Sequence, residues 1–132
     1  MGVLMVFLEK ATKLTNRDVV GKSDPYVKFH LKQDNWVMDK NFGKAKSTTQ
    51  QDNLDPYWNE TYAFDIPSLD KMLLNITVLD EDLGPDQHLG ECTIPLDQLG
   101  LTDELMDVDR IIDGNSFHKD ARIYLKLSYK ES

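Results

Sequence analysis

Five aspartates stand in two short segments of this sequence, Asp18 and Asp24 within residues 12–25, and Asp80, Asp82 and Asp86 within residues 80–89. Each side chain offers hard oxygen donors and nothing else when ionised. If the two segments meet at one end of a fold, five like charges repel, and the cluster is unfavourable unless a cation fills it. Calcium takes roughly 6–8 oxygen ligands in flexible geometry, which loops can supply. Taken singly, each residue reads as an ordinary turn aspartate, because Asp is common in turns. The pairing of two acidic loops carries the cation reading.

The elements that must position these loops alternate with period two. Residues 26–31 put Val27, Phe29 and Leu31 on one face and Tyr26, Lys28 and His30 on the other. Residues 58–66 are the clearest run, with Trp58, Tyr62, Phe64 and Ile66 on one parity, interrupted only by Glu60. Leu74, Ile76 and Val78 alternate again, as do Cys92, Ile94 and Leu96, and Ile123, Leu125, Leu127 and Tyr129. Residues 1–8 are apolar and too short for a helix, which fits a strand buried on both faces. Residues 42–48 are weaker but place Lys44, Lys46 and Thr48 on one side. Such runs, broken by Gly, Pro, Asp and Asn, predict an all-β sandwich. Helical turns are expected only at 68–72 and 103–106. Trp58 is assigned to the core, and Cys92, alternating with Ile94 and Leu96, is expected to be buried and inert.

Composition narrows the function. The 132 residues suit one domain, are 40% hydrophobic, and carry 15 basic against 23 acidic residues for a net charge of -8. That balance argues against nucleic-acid binding, which calls for a basic footprint. The single cysteine excludes an internal disulfide and suits a reducing compartment. His30, His88 and His118 are scattered, so a zinc site is not expected. The longest apolar run, residues 3–8, falls short of the roughly 20 residues a membrane span needs. The expected location is the cytoplasm.

At this point the residues resemble a family, the C2 domain. Gly21-Lys22-Ser23-Asp24-Pro25-Tyr26-Val27-Lys28 is similar to its first calcium loop and following strand, and Asp18 matches the family's first ligand. Leu54-Asp55-Pro56-Tyr57-Trp58-Asn59-Glu60 resembles the family's Asn-Pro-x-Trp-Asn-Glu stretch, with Asp55 in place of the first Asn. Val78-Leu79-Asp80-Glu81-Asp82, followed by Leu89-Gly90, resembles the third loop. The resemblance covers essentially the whole chain, and its three motifs stand in the right order. The resemblance implies an eight-stranded antiparallel Greek-key β-sandwich with its calcium loops at one end. An opening strand that runs straight into the first loop, with residues 121–130 as an added final strand, is similar to the type II topology. In one departure, the family's last loop ligand lies three residues before the glycine, where this chain has Gln87 and carries Asp86 one residue earlier.

Carried over by position, Asp24 and Asp80 resemble ligands that bridge two of two or three calcium ions, Asp18 and Asp82 their flanking ligands, and Asp86 the last. Backbone carbonyls of Arg17 and Glu81 would complete the shells. The family's membrane-touching tips match Val19, Val20 and Leu83. Lys28, Lys44 and Lys46 resemble the lysine-rich patch of some C2 domains, although a solvated strand face produces the same pattern. A rival calcium reading, an EF-hand starting at Asp80, fails because the glycine position is Pro85 and residues 74–79 read as strand. No Ser/His/Asp or Cys/His set, phosphate loop or cofactor fingerprint supports an enzyme. The expectation is calcium-dependent binding to an anionic, phosphatidylserine-like membrane surface, with recruitment from the cytoplasm. The alternative is a calcium-independent scaffold for a protein partner.

Overall fold

A computed structural model of the chain describes residues 1–14, 22–35, 37–82, 84–112 and 121–132. Among them run eight strands: β1 (Gly2–Thr12), β2 (Pro25–Gln33), β3 (Lys40–Lys46), β4 (Tyr57–Ile66), β5 (Met72–Asp80), β6 (Gln87–Pro95), β7 (Met106–Ile111) and β8 (Arg122–Glu131). They form two four-stranded sheets, ordered β4-β1-β8-β7 and β3-β2-β5-β6, with every neighbouring pair antiparallel. This is the expected all-β sandwich. The final strand, expected at 121–130, lies between β1 and β7.

The inward-facing parities build the core between the sheets. Leu4, Val6 and Leu8 of β1, Val27, Phe29 and Leu31 of β2, Leu74, Ile76 and Val78 of β5 and Ile123, Leu125 and Leu127 of β8 are all buried. Phe29 and Tyr62 lock the sheets across the interior, their ring centroids 5.4 Å apart. Trp58 is buried as expected and donates its indole N–H to the Thr48 carbonyl at 2.9 Å. Glu60, the polar interruption of β4, is half-buried because Thr48 and Tyr62 both donate hydrogen bonds to it.

Three local expectations are corrected. β1 is not buried on both faces: its burial alternates, and Val3, Met5 and Phe7 are only half-buried. Their cover comes from in-sheet neighbours, with Met5 paired to Ala63 and Ser128 and Phe7 to Thr61 and Lys126. Neither 68–72 nor 103–106 is helical. Ser68 and Thr102 instead accept hydrogen bonds from the backbone N–H of Asp70 and Glu104, a local bond that favours turns over helix. The one helical turn among the described residues is a 3-10 turn at Leu96–Gln98. Strand β7 had no clear signature because Val108 alone is fully buried in it. Asp107 and Asp109 face out and pair with Lys126 and Arg122 of β8, the latter at 2.7 Å.

Antiparallel order brings the C-terminal ends of β1, β3, β5 and β7 to one end of the sandwich. The termini meet at the other, where the Ser132 N–H donates to the Met1 carbonyl at 3.0 Å.

Candidate functional site

β2 and β5 are hydrogen-bonded neighbours whose register sets Pro25 opposite Asp80. Asp24, just before β2, and Asp80, the last residue of β5, are therefore held side by side by sheet pairing. The Asp24 N–H donates to Asp80 Oδ1 at 2.8 Å, and the Glu81 N–H donates to the Asp24 carbonyl at 3.0 Å. Asp80 is fully buried, and its Oδ2 has no hydrogen-bond partner. Leaving a buried acceptor unsatisfied costs roughly 1–3 kcal/mol, and more for a charged one. The other such atom among the described residues is the Tyr129 hydroxyl, on the strand that ends beside Met1. Asp80 thus has a side chain withdrawn from water with one oxygen uncommitted, which leaves that oxygen free to ligate a cation.

A third loop closes on this pair. Asp52, in the left-handed region at φ 48°, donates its N–H to Asp24 Oδ1 at 2.7 Å and accepts the Lys22 N–H at 3.1 Å. Gln50 and Asn53 add backbone bonds to the Pro25 and Ser23 carbonyls, and Thr49 donates its hydroxyl to Glu81. Sequence reasoning missed Asp52. The signal was a polar Gln-Gln-Asp-Asn turn directly before the Leu54–Glu60 motif, which marks a turn but not where it docks.

Asp82 and Asp86 meet farther along the loop. The Asp82 N–H donates to Asp86 Oδ1 at 3.0 Å, and the other Asp86 oxygen accepts the Tyr26 hydroxyl. The Tyr26 hydrogen bond is the main reason the Asp86 carboxyl lies below its ordinary pKa. Burial first, and Asp86 second, push Tyr26 up to about 12. Asp18, Val19, Val20 and Leu83, with the Arg17 carbonyl, lie outside the described residues. Among the described residues no three His, Cys, Asp or Glu side chains are grouped so as to hold a metal ion. The donor chemistry nevertheless suits calcium: Asp24 and Asp80 abut, and a buried carboxylate oxygen is left over.

The lysines of the strand pattern do converge. Register sets Lys28 opposite Lys46 and His30 opposite Lys44, with Thr77 and Asn75 of β5 on the other flank. Together they line an open hollow of about 450 Å³ on the outer face of the β3-β2-β5-β6 sheet. Like charges directly opposite each other disfavour a sheet pair, so an anion in the hollow would relieve a real repulsion. The Lys46 ammonium lies 4.6 Å from the Tyr26 ring centroid, which ties the hollow to the acidic loops. Cys92 is half-buried rather than buried, and desolvation pushes its thiol up to about 11, so it is chemically quiet at neutral pH. The His30 ring bonds Asn41 at 3.1 Å.

Gly90, which follows the third loop, has a packing reason. A Cβ there would meet Ile112 Cγ2 at 2.1 Å, so only glycine lets β6 and the residue after β7 close at this end.

Comparison with known proteins bears on the family and the fold. A plant Calcium-dependent lipid-binding protein from Arabidopsis thaliana is 34% identical over 79% of this chain and 19% of its own length. Human Synaptotagmin-2 is 41% identical over 68% of this chain and 21% of its own. The chain therefore spans about a fifth of the length of the curated relatives it matches. Among solved structures, a C2 domain of plant Extended Synaptotagmin 1 superposes with a TM-score of 0.85 at 25% identity, covering 99% of this chain and 95% of that one. The C2 domain family model matches residues 2–111, and the chain belongs to the C2 domain family.

Proposed function

We propose that this C2 domain binds calcium through Asp18, Asp24, Asp80, Asp82 and Asp86 and, so loaded, docks on an anionic phospholipid surface as a non-catalytic binding module. The observation that carries the reading is the fully buried Asp80, whose Oδ2 lacks a partner beside Asp24. Similarity to a protein named for calcium-dependent lipid binding supports it.

The calcium supplies positive charge and open coordination positions for lipid phosphate or carboxylate oxygens. The chain's own residues do the rest. Asp24 and Asp80 present oxygens from the end of the central β2-β5 pair, and Asp52 pins Asp24 through its backbone N–H. Two divalent ions would neutralise four of the five aspartate charges, so the loops stop repelling an acidic membrane. Val19, Val20 and Leu83 then enter the interfacial layer. The exposed Lys28, Lys44 and Lys46 meet phosphate from the side, each basic residue near an anionic surface being worth about 1 kcal/mol.

The deciding experiment is liposome cosedimentation with calcium or chelator, with and without phosphatidylserine. Sedimentation only with both calcium and phosphatidylserine is expected. Equal sedimentation with chelator would overturn calcium dependence. No sedimentation under any condition would favour the protein-binding scaffold.

A further inference from the structure

Both oxygens of Asp86 are engaged by the protein itself, one by the Tyr26 hydroxyl and the other by the Asp82 N–H at 3.0 Å. Asp80 differs, keeping one oxygen uncommitted. Tyr26 is not a casual partner. Its side chain is 2% exposed, its backbone pairs with Leu79 of β5, and Lys46 lies 4.6 Å from its ring. A buried ring fixed by a strand cannot swing aside as an exposed side chain does, so its hydroxyl stays aimed at the loop. A carboxylate oxygen that already accepts a strong hydrogen bond is a poorer cation ligand, because the donor must be displaced or the oxygen shared.

We propose that Tyr26 is a positioning residue that brakes the cation site: its hydroxyl holds Asp86, and a divalent cation gains that carboxylate by displacing the hydroxyl. The inference rests on the calcium reading above and adds its regulation. The site then fills in two steps. The position at Asp24 and Asp80 takes calcium first, and the position that needs Asp86 takes it more weakly, at a calcium level that Tyr26 sets.

The test is calorimetric calcium titration of the full chain and of Tyr26→Phe, Asp86→Asn and the double variant. Phenylalanine keeps the buried ring and removes only the hydroxyl. Tyr26→Phe is expected to tighten the weaker binding event about three- to tenfold, the value of one hydrogen bond, and to leave the stronger event unchanged. In the Asp86→Asn background the same change should do nothing. A measurement without substitutions runs beside it: the Tyr26 hydroxyl proton, shielded from exchange by its bond, should vanish from the proton NMR spectrum as the second calcium binds. Unchanged or weaker calcium affinity in Tyr26→Phe, or a hydroxyl proton that persists at saturation, overturns the brake and leaves the calcium reading standing. Absence of calcium heat in the unsubstituted chain overturns that reading and the brake with it.

Discussion

The acidic loops and the lysine hollow adjoin one sheet and touch through Tyr26, yet they are built on opposite principles. The lysines are exposed side chains from alternate positions of β2 and β3, placed by register alone. The carboxylates are held by backbone N–H donors from three loops, and the central one is withdrawn from water. A patch of the first kind acts through summed charge and is weakened by salt, with a screening length near 8 Å at physiological ionic strength. A site of the second kind acts through geometry, so losing one oxygen costs more than losing one charge.

That contrast breaks most sharply at its acidic end. Asp80→Asn and Asp24→Asn should each abolish calcium-dependent liposome sedimentation, because each replaces an oxygen of a preformed pair. Asp86→Asn should weaken it less, since Asp86 is already bonded within the protein. If Asp86→Asn proves as damaging as Asp80→Asn, the last ligand is central and not terminal. Circular dichroism of all three should remain β-like.

The apolar tips come next. A Val19→Ser, Val20→Ser, Leu83→Ser triple variant should keep its calcium heat, because these side chains offer no oxygen. Full burial of such a side chain is worth up to about 1.5–3 kcal/mol, and about 1.4 kcal/mol is tenfold. Its liposome affinity should therefore fall tenfold or more, read by vesicle titration. Unaltered affinity would shift the weight of docking to the lysine hollow.

Substitution in that hollow should do less. Lys44→Ala and Lys46→Ala should each lower affinity for anionic vesicles by up to about fivefold, from about 1 kcal/mol per basic residue. The difference should shrink as salt is raised, and calcium heat should not change. A salt-independent loss would show that a lysine makes a specific contact and not a diffuse one.

The smallest effect expected concerns Glu60, which joins the strand behind the hollow to the Thr48 loop. Burial works to raise its pKa, but hydrogen bonds from Thr48 and Tyr62 outweigh it and hold the group below its ordinary 4.5. A depressed folded value stabilises the fold above the unfolded pKa, and that stability is lost as pH falls through the folded one. Glu60→Gln should therefore melt at a lower temperature at neutral pH, with the gap to the unsubstituted chain closing below about pH 4.5. A gap that persists at acid pH would mean packing, not charge, explains Glu60.

Sequence alone determined the sandwich, the inward parity of β2, β4, β5 and β8, the placement of Trp58, and the facing of Lys28, Lys44 and Lys46. All of these follow from a two-residue period that local chemistry writes directly into the chain. Tertiary structure decided what the period does not encode. The half-covered outer face of β1 depends on which strands flank it, and β7 is placed by its antiparallel pairing with β8, with Val108 its one buried side chain. The acidic loops show the limit best. Their aspartates are visible as letters, but the docking of Asp52 onto Asp24, the Asp24 N–H on Asp80 and the Tyr26 hydroxyl on Asp86 join residues 28, 56 and 60 positions apart. Hydrogen bonds of that span depend on how sheets and loops close in three dimensions, and no local spacing rule carries that information.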